Sequence, residues 1–175
     1  MNMRLKLEVG TPKDAAAVAA LRVAVAQDLT SRHGTGPWSS HGTEKGVLFD
    51  MRQSTVYVAR KGERIVGTFV LATKKPWAID RKYFKPCARP LYLLSMSVEP
   101  GLQRKGIGRR CIEAAIKACK KFPAQAIWLD AYDSEAGAGD FYRKCGFEEV
   151  GHAAYRNVPL IYFEMVMPTS ATKSD

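Results

Sequence analysis

No stretch of this sequence is apolar for long enough to cross a bilayer. The most apolar window, Ala15 to Ala26, is broken by Arg22 and runs about 12 residues, whereas a spanning helix needs roughly 20. A membrane partner is therefore not expected. Metal ligands are scarce as well. The four cysteines show no Cys-x-x-Cys spacing, and His33, His41 and His152 form no zinc-like pair, so no metal site is expected. Cys111 and Cys119, placed on one helix, would lie about 12 Å apart along its axis, too far for a disulfide. With Cys87 and Cys145 they read as small, buried, reduced thiols. Acidic residues are in deficit: 17 Asp and Glu face 27 Lys and Arg, a formal charge of +10. The 14 Gly and 9 Pro are too few for a disordered or collagenous chain, and 46% apolar residues over 175 positions lead us to expect one compact core.

A positive surplus attracts polyanions: nucleic acid, anionic lipid or a small phosphorylated ligand. The basic residues here are scattered pairs, Lys74-Lys75, Arg81-Lys82, Arg104-Lys105, Arg109-Arg110 and Lys120-Lys121, with no run of five. That scatter argues against a nucleic-acid arm and for a phosphate-bearing ligand. Met1 to Leu5 carries a positive residue without a following apolar stretch, so no secretory leader and a cytoplasmic location are expected.

The organisation reads as one domain over residues 1–167 with a polar tail over 168–175. Arg4 to Val9 alternates polar and apolar, the period of a half-buried strand. Thr11-Pro12-Lys13-Asp14 supplies a cap, a first-turn proline and an acid, predicting a helix whose apolar stripe is Val18, Leu21, Val25 and Leu29. Thr30 to Gly46 has no period and reads as a loop leading towards a second helix through Phe49 and Met51. Two antiparallel strands, Ser54–Ala59 and Ile65–Leu71, flank a tight turn. A long connection, Lys74–Pro90, precedes a central strand, Leu91–Val98. A helix from Gln103 to Lys121 follows, with Glu113 and Lys117 as an outer ion pair. Then come a strand at Ala126–Ala131, a short helix from Ala136 to Lys144, and a terminal hairpin, Phe147–Ala154 with Val158–Met167. The fold class is mixed α/β.

The most informative residues are Glu99-Pro100-Gly101-Leu102-Gln103-Arg104-Lys105-Gly106-Ile107-Gly108-Arg109, between a strand and an amphipathic helix. A turn there exposes backbone N–H groups at the positive end of a helix dipole. Gly106 and Gly108 lack a Cβ, so a phosphate can approach the backbone, and Arg104, Lys105 and Arg109 add charge. This is a pyrophosphate cradle in physical terms. Neither a dinucleotide Gly-x-Gly-x-x-Gly nor a Walker loop is present.

Gln103-Arg104-Lys105-Gly106-Ile107-Gly108 resembles the acetyl-CoA loop, Gln/Arg-x-x-Gly-x-Gly/Ala, of the GNAT superfamily of N-acetyltransferases. Phe141-Tyr142-Arg143-Lys144-Cys145-Gly146-Phe147 is similar to that family's Tyr-x-x-x-Gly-Phe segment. The likeness spans about residues 4 to 167 in element order and is strongest from Leu91 to Gly151. It implies a central, mostly antiparallel sheet whose middle strands, at Leu94–Val98 and Ile127–Ala131, splay apart around acetyl-CoA as co-substrate. Backbone groups at Met96 and Val98, with Ser97 between them, would hold the pantetheine arm, and amides of Arg104 to Arg109 the pyrophosphate. Tyr142 matches the family tyrosine that protonates the coenzyme sulfur. Glu135 stands where many members carry a pantetheine-contacting asparagine.

Where several relatives carry a general base, Tyr92 to Ser97 holds no carboxylate. Glu99, past the end of that strand, and Asp130, on its neighbour, are the remaining candidates. A water relay would also serve, and Asp130 reads as a hydrogen-bonded structural acid ahead of a base. Trp38, His41 and Trp77 lie in irregular segments that could line an amine pocket. The expected function is transfer of an acetyl group from acetyl-CoA to a primary amine of a small molecule or peptide. The rival is a non-catalytic acyl-CoA-binding module. The amine acceptor is not identified by the sequence, nucleic acid is not an expected partner, and a homodimer is left open.

Overall fold

The structure, a computed structural model, describes residues 4–169. The first three residues and residues 170–175 of the expected tail lie outside the described residues. Eleven helices and strands follow in chain order: β1 (Leu5–Val9), α1 (Ala15–His33), α2 (Glu44–Gln53), β2 (Thr55–Lys61), β3 (Arg64–Ala72), β4 (Pro90–Val98), α3 (Ile107–Lys121), β5 (Ala126–Tyr132), α4 (Gly139–Lys144), β6 (Glu148–Tyr155) and β7 (Val158–Val166). They build a seven-stranded sheet in the order β1-β2-β3-β4-β5-β7-β6. Every neighbouring pair is antiparallel except β4 and β5. That exception is forced by connection: α3 carries the chain back across the sheet, and a strand re-entering after a helical crossover runs parallel.

Each helix covers a defined stretch of sheet. On one face α3 and α4 bury Phe69, Leu71, Leu91, Leu93, Ile127 and Phe163. On the opposite face α1 and α2 cover Val58 and Ile65 through Val18, Leu21 and Val47. The connection from Thr73 to Arg89 completes that face, with Phe84 stacked on Trp128 at 4.4 Å between ring centres. α1 is entered through a single 3-10 turn, Pro12–Asp14, and the Thr11 hydroxyl donates to Asp14 Oδ2 at 3.2 Å instead of capping a backbone N–H as expected. Asp14 N–H donates to the Thr11 carbonyl, and Thr11 N–H donates to Asp14 Oδ2, each at 2.8 Å. No described helix is long and apolar enough to cross a membrane.

Several sequence expectations are corrected. The aperiodic segment is shorter than Thr30–Gly46, because α1 runs on to His33 and α2 starts at Glu44. The third helix starts at Ile107 rather than Gln103: Arg104 and Gly106 have φ of 59° and 84°, outside a right-handed helix. The fourth begins at Gly139 rather than Ala136, since Gly137 N–H closes a turn onto the Ser134 carbonyl. Glu113 pairs with Arg110, not Lys117. The four cysteines are free, but only Cys111 and Cys119 are fully buried. Burial pushes the Cys111 thiol up to about 12 and the Cys119 thiol up to about 11.

Candidate active site

A break in the sheet creates the site. β4 and β5 pair only from Pro90–Tyr92 to Ala126–Trp128, and beyond those residues the strands share no ladder. Ser95, at φ 51°, is a bulge within β4, and the register with β3 shifts beside it, between Thr68 and Val70. Leu91 and Leu93 point towards α3, as an alternating strand requires, and so do Met96 and Val98. The inserted residue restores that facing after an odd step. The unpaired edges bound a cleft of about 500 Å³, with Leu93 to Ser97 on one side and Asp130 to Tyr132 on the other.

The remaining walls come from three separate segments. Arg22, Val25, Ala26 and Leu29 form one stripe of α1 on the cleft, so the predicted apolar stripe divides: Val18 and Leu21 enter the core, Leu29 lines the cleft. Trp38, Ser40, His41 and Gly42 make a strap over the same end. Trp38 Nε1 donates to the Gly34 carbonyl at 2.9 Å, and the Thr30 and Ser39 hydroxyls bond at 2.6 Å, fixing the strap to the end of α1. Ala136 to Ala138 close the third side. Gly137 is required there, because a Cβ would sit 1.9 Å from the Tyr132 carbonyl oxygen.

The glycine loop adjoins β4. Gln103 Nε2 donates to the Val98 carbonyl at 3.1 Å, holding the loop to the strand end. The first intrahelical bond of α3 runs from Arg110 N–H to the Gly106 carbonyl, so the preceding amides are the free donors of a helix start. Gly106 has no atom within 4 Å of its missing Cβ, the open approach expected for a phosphate. Gly108 differs from its expected role. Its missing Cβ would lie 3.0 Å from the Phe141 ring, so this glycine serves the packing of α3 on Phe141. Arg109 is likewise engaged, its Nη2 donating to the Lys144 carbonyl at 3.2 Å. Arg104 and Lys105 are exposed and have no acidic partner among the described residues.

Of the acid and base candidates, Tyr142 and Asp130 both line the cleft. Phe141, Phe147 and Phe163 hold the Tyr142 ring, with centres 5.2, 5.7 and 5.9 Å away. Burial raises its pKa far above the usual 10, and the charge of Asp130 adds in the same direction. Asp130 has no salt bridge among the described residues, and burial raises its pKa above 3.8. Glu99 is not brought into the cleft: its carboxylate pairs with Arg64 of β3 and its N–H with the Val66 carbonyl. Glu135 is exposed beside the cleft loop without lining it. Trp38 and His41 line the cleft as expected, whereas Trp77 is 85% exposed and does not. Arg22, Tyr132 and Gly137 were not singled out from the sequence. Arg22 has a signal there, as the single charge within an apolar helical run.

Comparison with known proteins agrees with this geometry. The sequence model of the Acetyltransferase (GNAT) family matches residues 23–147. The chain is 26% identical over 97 residues to the uncharacterized N-acetyltransferase YvbK of Bacillus subtilis (strain 168), a match covering 55% of each chain. It is 35% identical over 115 residues to the ribosomal protein bS18 alanine N-acetyltransferase of Escherichia coli (strain K12), covering 65% of this chain and 74% of that one. The match thus spans about half of the first relative's length. The solved structure of yncA from Salmonella typhimurium with its cofactor acetyl-CoA superposes with a TM-score of 0.68 at 13% identity, over 97% of this chain and 98% of that one.

Proposed function

The chain belongs to the GNAT acetyltransferase family, and from that premise we propose that it takes acetyl-CoA as co-substrate and acetylates a primary amine by direct attack, with Tyr142 as acid and Asp130 as base. Acetyl-CoA supplies a thioester carbonyl: the neutral amine forms the C–N bond, the C–S bond breaks, and the sulfur leaves with the bonding pair. Two protons must then be placed, one removed from the amine nitrogen and one delivered to sulfur.

The reading rests on one observation above all, a phenol and a carboxylate without a salt bridge among the described residues, both lining a cleft in an opened sheet. Burial keeps the Tyr142 hydroxyl protonated at neutral pH, the form that can donate. The same effect raises the proton affinity of Asp130, which suits a base that accepts the amine proton directly or through a water. The residues also fit the coenzyme. β4 from Met96 to Val98 pairs with β3 but has no ladder on its β5 side, and that open edge offers hydrogen bonds to an extended arm. Gly106, the free amides of α3, Arg104 and Lys105 offer a pyrophosphate site.

Thiol release from acetyl-CoA with a panel of amines tests the reading. Replacing Tyr142 by Phe removes the donated proton and keeps the ring packing. At saturating amine it should lower turnover about 100-fold, the low end of acid catalysis, with coenzyme binding retained by calorimetry. Full turnover in Tyr142→Phe removes the assigned role. Coenzyme binding without thiol release from any amine is the result a non-catalytic module would give.

A further inference from the structure

Arg22 is the one arginine of the cleft, and its side chain is only 11% exposed. Nη1 donates to Asp50 Oδ2 of α2 at 3.0 Å. Its Nε and Nη2 are buried and have no hydrogen-bond partner among the described residues. These two N–H groups form the side-on edge of the guanidinium, which matches a carboxylate in one plane. Three other arginines of this chain fill that edge with carboxylates. Arg32 places Nε and Nη2 at 3.0 and 2.7 Å from Asp28 Oδ2. Arg143 holds Glu149 Oε2 at 3.0 and 2.7 Å. Arg60 meets Glu8 and Asp14, each at 2.6 Å.

An arginine stays charged at any working pH, and burying its donors without acceptors is costly. None of the described residues supplies the partner, and the cleft is where one would enter. Val25 and Leu29, one and two turns further along α1, continue the same wall. Residues 40–43 of the strap have neither helix nor strand, so the cover beside Arg22 can shift without breaking an element. A Cβ on Gly42 would lie 3.5 Å from Arg22 Nη1, which places the strap directly against the guanidinium. Asp50 neutralises one charge at the site, and the chain's +10 favours a second anion.

We propose that the Nε and Nη2 edge of Arg22 binds a carboxylate of the amine acceptor, which makes the acceptor class small amines bearing a free carboxylate, such as amino acids. As a statement about the acceptor, this rests on the transferase reading; as a statement about a carboxylate site, it is tested without turnover. The full chain, saturated with coenzyme A, is titrated calorimetrically with each of the twenty L-amino acids and with its α-amide. At least one amino acid should bind tenfold or more tighter than its amide, in line with a charge-assisted pair. Arg22→Lys keeps the charge and loses the fork, and should cut the preference below threefold. In the wild-type chain, the Arg22 Nε–H nitrogen-15 resonance should shift with the preferred acid and not with its amide, a readout that needs no variant. A preference under tenfold throughout, threefold or more surviving in Arg22→Lys, or an unmoved Arg22 resonance would each overturn the proposal. Carboxylate binding with no thiol release from any amine would fail the transfer reading alone. Thiol release with equal binding of acids and amides would fail this inference alone.

Discussion

Asp14 joins a helix start to a strand. Its Oδ2 accepts the Thr11 N–H at 2.8 Å, and its Oδ1 accepts Arg60 Nη2 at 2.6 Å, in a position 8% exposed. Burial alone would raise its pKa, but the bonds from Arg60 and Thr11 outweigh that and hold it below 3.8. A folded-state pKa below the unfolded one means the contribution is complete above about pH 4 and is lost as pH falls through the folded value. Asp14→Asn should therefore destabilise the protein by about 2 kcal/mol at pH 7, the scale of a cap plus a partly buried pair. Urea unfolding measures it, and the gap between wild type and variant should shrink towards pH 2.5. A gap of constant size across that range would mean that packing, not charge, sets the residue.

At the level of elements, the loop after β5 that carries Ala136 to Ala138 into the cleft is tied to β6 by one histidine. His152 Nδ1 lies 3.0 Å from Asp133 and its Nε2 2.5 Å from Glu149. The Asp133 bond, then the Glu149 bond, raise its pKa above 6.5. A raised value means the tie is complete below about pH 6.5 and weakens as pH rises through the folded value. The Tm advantage of wild type over His152→Gln should be larger at pH 6 than at pH 9; a difference that grows with pH would refute the tie. Much of this frame is legible in the amino-acid order: alternation marks β1, the Thr11-Pro12-Asp14 start marks α1, and the glycine loop marks α3. What escapes depends on contacts made across the fold. Ser95 is an ordinary serine until β3 and β4 pair out of step around it. Gly106 and Gly108 look alike in the chain, yet one has open space before it and the other meets Phe141. α2 sits beyond a glycine-rich stretch, and its start depends on the Thr43 hydroxyl accepting the Gly46 N–H. Arg22 interrupts an apolar stripe because that stripe changes from core wall to cleft wall along α1.

Across the whole molecule, the surplus of +10 is distributed unevenly between paired and unpaired cations. Arg22, Arg32, Arg60, Arg64 and Arg143 all hold carboxylates, so they add little field beyond their partners. Arg104 and Lys105 stand exposed beside the open face of Gly106 with no acid against them among the described residues, and their field reaches an approaching pyrophosphate. Arg109 stands apart from these two. With Nη2 on the Lys144 carbonyl, it joins α3 to the end of α4, so its loss should loosen that joint more than it weakens coenzyme binding. Exposed charges about a Debye length from their partner are screened by salt, and that length shortens from roughly 10 Å at 0.1 M to 3 Å at 1 M. Acetyl-CoA affinity should accordingly fall as sodium chloride rises from 0.05 to 0.5 M, on the order of tenfold. Arg104→Ala combined with Lys105→Ala should weaken binding about tenfold at low salt and much less at high salt, since the variant lacks the charges that salt screens. Parallel salt curves for wild type and the double variant, measured by calorimetry, would place the phosphate contact elsewhere. Convergence of the two curves at high salt would assign the unpaired part of the surplus to the coenzyme.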